Sequence, residues 1–103
     1  KIRKETSAEA DYKNKINTLR TQIDVIDHQL IEVLGKRMKV SEGIGELKKK
    51  NNVAVLQSKR WNEILGKMIL EGEQHQLSEE FVLRMFKAIH QESINHQEKI
   101  LKE

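Results

Sequence analysis

Cysteine and proline are absent from the 103 residues, and no apolar run is long enough to cross a membrane. Without cysteine there are no disulfides and no thiol nucleophile, a composition that fits a reducing cytoplasm. Without proline nothing forbids very long helices. Without a long apolar run, neither a membrane span nor a signal peptide is visible. Charge of one sign is also missing: 19 basic and 16 acidic residues interleave to a formal net charge of +3, too balanced for a nucleic-acid footprint. His28, His75, His90 and His96 offer no metal site, since no two are four residues apart and only Glu92 and His96 share a face. The chain starts at Lys1 rather than methionine, which points to an excised fragment or a processed product.

What is present, 37% hydrophobic residues, suffices for one small domain with a modest core. The organising stretch runs from Leu19 to Lys48. Leu19, Ile23, Ile26, Leu30 and Leu34 recur at helical spacing, and the stripe then turns polar, with Arg37, Ser41 and Lys48 where further leucines are expected. Arg37 and Lys48 are about three helical turns apart, roughly 16 Å of rise, so they share a face. Two cations on the buried side of a helix call for an anion, and a small molecule with separated negative groups could span them.

Residues 1–16 are polar, interrupted only by Ile2, Tyr12 and Ile16, and read as a leader or linker ahead of a helical domain over 17–103. Helical extension with a frayed start, capped near Thr6 or Ser7, is the preferred reading of that leader. The first helix then runs to about Lys50, where cations and asparagines can end it. Gly43 and Gly45 interrupt it at a cost of about 1 kcal/mol each relative to alanine, so either something approaches the backbone there or the glycines are tolerated on a packed face. After a short connection at 51–57, Ser58 opens a second helix carrying Trp61, Ile64, Leu65, Met68 and Ile69 and stopping near Gly72. Ser78 with Glu79 and Glu80 opens a third, whose stripe of Val82, Met85, Phe86 and Ile89 passes to Ser93 and Gln97 before Ile100 resumes it. Those two polar side chains either face inward one turn apart or mark the helix end emerging into solvent.

The expected fold is therefore all-α, three helices of which one is very long. A first helix of about 43 residues extends about 64 Å, against a radius of gyration near 13 Å for a compact domain of this size. One chain cannot cover it. An intertwined helical homodimer, long helix against long helix, buries the seam from Ile16 to Leu34.

The pattern LRxxIDxIDxxLIxxLxxRMxxxxxIGxxK over Leu19–Lys48, a second helix beginning with Arg60 and a last helix containing ESINHQ resemble the all-helical class of chorismate mutase. The resemblance covers about 19–100. It implies an intertwined dimer with two active sites that rearranges chorismate to prephenate without a cofactor, an isomerase step of aromatic amino acid biosynthesis. By the same resemblance Arg37 binds a substrate carboxylate, and Arg20 binds another in the partner subunit's site. Spacing agrees with that division, because Arg20 and Lys48 lie about 42 Å apart along one helix. Lys48 and Gln97 are implied as donors to the ether oxygen whose bond breaks, Ser93 as a carboxylate contact and Arg60 as a further substrate-binding residue. Two positions depart from the family. Gln57 stands where a loop aspartate is common, and Trp61 replaces the acidic residue that usually contacts the substrate hydroxyl; tryptophan cannot accept a hydrogen bond, whereas Gln57 can.

The chemistry fits such a donor set. The rearrangement is an intramolecular pericyclic shift, so general acids, bases, nucleophiles and metals are unnecessary. A protein can instead select the compact diaxial conformer and stabilise negative charge growing on the ether oxygen. Forked guanidinium groups grip carboxylates at a fixed angle, and a neutral Gln97 donates at any ordinary pH. Three alternatives remain at this level: a lyase removing pyruvate from isochorismate, a non-catalytic helical dimerisation or regulatory module, and a coiled-coil protein, whose heptads should continue through Arg37, Ser41 and Lys48. The family is also joined to other shikimate-pathway enzymes, including the DAHP synthase that opens the pathway, so the polar leader makes such a fusion an expected partner.

Overall fold

The computed structural model describes residues 6–55 and 58–103. The described residues form three helices and no strand: α1 Ser7–Asn51, α2 Ser58–Gln74 and α3 Glu79–Lys102. By its contacts the chain falls into two units, one up to Lys36 and one spanning Arg37–Glu103. No helix among the described residues is long and apolar enough to cross a membrane.

In the first unit α1 starts where Thr6 caps it, its hydroxyl accepting from the Glu9 amide at 3.0 Å. Its supports are local. Lys15 pairs with Asp11 one turn back at 3.0 Å, and the Thr18 and Thr21 hydroxyls donate to the carbonyls of Asn14 and Asn17. Leu19, Ile23, Ile26 and Leu30 are 54–56% exposed, so most of this unit's apolar stripe is uncovered, and only Leu34 at its end is half-buried.

The second unit packs the end of α1, α2 and α3 together. Asn52 takes a left-handed conformation (φ 59°), the Val53 amide donates to the Lys48 carbonyl and the Asn52 amide to that of Lys49, which satisfies the last carbonyls of α1. The same pattern ends α2: Gln76 is left-handed (φ 57°), and Leu77 and Gln76 donate back to Gly72 and Glu73. The expected stop near Gly72 is thus slightly early, and this glycine has a different task. A Cβ on it would lie 2.6 Å from Val82 Cγ2, so the missing side chain is what lets α3 close on α2. Val82 is 1% exposed at that contact, and Ser78 caps α3 by accepting from the Phe81 amide.

Between α1 and α3 the buried layer is largely polar. Met38 is buried there, and so are Ser41, Ser93 and Gln97. Gly45 explains the close approach: its hypothetical Cβ would stand 3.1 Å from the Gln97 Cα, whereas one at Gly43 would meet nothing within 4 Å. Of the two readings of these glycines, close approach holds at Gly45, while Gly43 shows neither a close approach nor a packed face, since it is exposed and open.

Candidate active site

Helical spacing puts Arg37, Ser41 and Lys48 on one face of α1 and His90, Ser93 and Gln97 on one face of α3. Where the two faces meet, the side chains form a continuous hydrogen-bonded line. Lys48 Nζ donates to Gln97 Oε1 at 2.9 Å and to the Val55 carbonyl at 2.6 Å. Gln97 Nε2 donates to Ser41 Oγ at 2.9 Å, and Ser41 in turn donates to the Ser93 carbonyl at 3.2 Å. An Arg37 guanidinium nitrogen donates to Ser93 Oγ, which itself donates to Met38 Sδ at 3.6 Å. Because an ammonium can only donate, Lys48 forces the Gln97 carbonyl oxygen toward itself and turns the amide nitrogen the other way. Among the described residues no buried side-chain nitrogen or oxygen is left without a partner.

This line borders a cavity of about 250 Å³, walled by Arg37, Ser41, Ser93 and Gln97 on one side and by Arg60, Trp61 and Ile64 of α2 on the other. Among the described residues no carboxylate lines it. Burial first, then the nearby Arg60 charge, lower the Arg37 pKa below its ordinary value, and burial lowers that of Lys48. Arg37 and Arg60 repel each other at the cavity wall, and an anion between them would relieve that repulsion.

The structure thus brings together Arg37, Lys48, Ser93 and Gln97, with Arg60 exposed on the first turn of α2 at the cavity wall. Arg20 lies in the unit up to Lys36, where it is exposed. Gln57 lies outside the described residues. Ser93 and Gln97 face inward, so the reading of α3 as emerging into solvent there fails: they are 6% and 8% exposed.

Sequence reasoning missed two participants. Ser41 was legible only as a polar interruption of a stripe, yet it anchors Gln97 to α3's own backbone. By spacing His90 is, like the other histidines, a poor metal ligand. Its signal was positional, three residues before Ser93 and so on the same face. It lines the cavity and stacks on Trp61, ring centroids 4.2 Å apart and planes inclined by 20°.

Comparison with known proteins supplies the family. The family model described as chorismate mutase type II matches residues 19–98. A bifunctional chorismate mutase/prephenate dehydratase of Buchnera aphidicola subsp. Schizaphis graminum is 33% identical over 89 residues, covering 86% of this chain and 23% of that protein. Its counterpart from Buchnera aphidicola subsp. Baizongia pistaciae is 32% identical over 90 residues, 87% of this chain and 24% of the relative. The Escherichia coli K12 bifunctional enzyme is 25% identical over 91 residues, again 24% of its length. The chain spans about a quarter of the length of these curated relatives.

Proposed function

The chain belongs to the chorismate mutase type II family, and we propose that it rearranges chorismate to prephenate in the cavity between α1, α2 and α3. The observation that carries this reading is the hydrogen-bonded line from Arg37 through Ser93, Ser41 and Gln97 to Lys48, beside a cavity lined by Arg37, Arg60 and the Gln97 amide and, among the described residues, by no carboxylate. Arg37, steadied by Ser93, takes one substrate carboxylate, and Arg60 adds positive charge at the opposite wall. Lys48 and the free N–H of Gln97 take the ether oxygen as negative charge grows on it. Nothing in the rearrangement moves a proton, so the work is conformer selection and electrostatic stabilisation.

The reading includes a second copy of the chain. The exposed stripe of Leu19, Ile23, Ile26 and Leu30 supports an intertwined homodimer in which Arg20 completes the partner's cavity. It also includes a tethered pathway neighbour: the relatives are joined to prephenate dehydratase, and DAHP synthase is the neighbour proposed here. The setting is the cytoplasm, with no cofactor. The deciding experiment follows chorismate absorbance on adding the purified chain, with isochorismate in a parallel arm. Loss of chorismate with prephenate as product supports the mutase, pyruvate released from isochorismate alone supports the lyase, and silence with both leaves the regulatory module.

A further inference from the structure

The cavity is rich in donors and poor in acceptors. Arg37, Arg60 and Trp61 can only donate. Among the described residues each side-chain oxygen on the wall, and the Val55 carbonyl, is engaged: Ser93 Oγ by Arg37, Ser41 Oγ by Gln97, and both Gln97 Oε1 and the Val55 carbonyl by Lys48. The ring nitrogens of His90 are the exception, since among the described residues they make no hydrogen bond. Stacking on Trp61 fixes the plane of the imidazole against α2, while its place on α3 aligns it with Ser93 and Gln97.

Chorismate carries, besides two carboxylates and the ether bridge, one ring hydroxyl that needs an acceptor when it leaves water. Resting on the activity proposed above, we propose that His90 is the residue that binds this hydroxyl, its ring nitrogen accepting the O–H. The surroundings keep the imidazole in the form that can do so. Burial first, then the positive charges of Arg37 and Lys48, hold its pKa below the ordinary 6.5, and Arg60 on the facing helix adds a further cation to the same cavity. At neutral pH one ring nitrogen therefore retains its lone pair.

The test compares kcat/KM for chorismate with that for the analogue bearing hydrogen in place of the ring hydroxyl. One hydrogen bond of about 1.4 kcal/mol corresponds to about a tenfold preference for chorismate in the unaltered chain. His90→Phe keeps a ring to stack on Trp61 but has no acceptor, and it is expected to bring the ratio near one by weakening chorismate alone. His90→Leu gives the same ratio if the ring itself is immaterial to folding, with helix content checked by circular dichroism. Equal losses for both compounds, or an unchanged ratio, overturn the assignment. So does disappearance of the preference in Gln57→Ala with His90→Phe still discriminating. A chain that leaves chorismate untouched sinks the proposed activity and this inference together, whereas turnover with an unaltered ratio sinks this inference alone.

Discussion

The two units carry the same kind of helical stripe and dispose of it in opposite ways. Up to Lys36 the stripe is leucine and isoleucine, and from Leu19 to Leu30 it stands more than half exposed, while Leu34 is half-buried. From Arg37 onward the stripe is arginine, serine and lysine, and Ser41 on it is 4% exposed. Apolarity alone therefore does not decide what is buried: the polar stretch is covered because α3 presents Ser93 and Gln97 to it and Gly45 lets them approach. The apolar stretch from Leu19 to Leu30 is left exposed by the described residues, and the second copy proposed above would cover it.

The sharpest way to break that contrast is Lys48→Ala. Removing one preorganised donor is expected to lower kcat by about 10²–10³, roughly 3–4 kcal/mol of barrier, with the melting temperature little changed. Activity within a few-fold of the unaltered chain would remove Lys48 from its role. Next comes the exposed stripe. Burying an isoleucine is worth about 1.5–3 kcal/mol, counted twice in a two-fold assembly, so Ile26→Glu should halve the solution mass and abolish turnover; an Ile26→Glu monomer with full activity refutes the shared site.

Gly45→Ala probes the polar layer more gently. The added methyl meets the Gln97 Cα at 3.1 Å, while alanine gains about 1 kcal/mol of helix propensity over glycine. Stability should hardly move and kcat should fall several-fold as Gln97 is displaced; a kcat that holds steady would show that α3 yields without disturbing the amide. Two pH effects are smaller. With Gln97 neutral, kcat should vary little across about pH 7–8, and because burial lowers the Lys48 pKa, the alkaline loss should begin below 10.5. His96 on α3 binds Glu42 of α1 at 2.8 Å and Glu92 at 3.0 Å, and those hydrogen bonds, to Glu42 foremost, raise its pKa above 6.5. A raised folded value means this contribution is full below the unfolded pKa and fades as pH rises through the folded one. The melting temperature should therefore drift down between about pH 6 and 8, and His96→Gln should flatten that slope.

Much of this was readable beforehand, and for a definite reason in each case. Periodicity revealed three helices because a packed helix repeats its contacts every three to four residues, and the same rule exposed Arg37, Ser41, Lys48, Ser93 and Gln97 as anomalies in their stripes. The end of α2 was misjudged because glycine signals both a helix stop and a close crossing, and only the position of Val82 tells them apart. His90 escaped notice because a histidine carries no periodic signature of its own; its meaning came from Trp61, twenty-nine residues earlier in the chain.

By itself the sequence determined the helical elements, their polar interruptions and the donor chemistry gathered there, since these depend on residue type and local spacing. Which amide oxygen meets Lys48, which glycine admits α3, and which wall of the cavity keeps a free lone pair were decided only by tertiary structure. The reason is physical. Hydrogen-bond direction and van der Waals contact act over a few ångströms between residues some fifty positions apart, and no local pattern encodes that meeting.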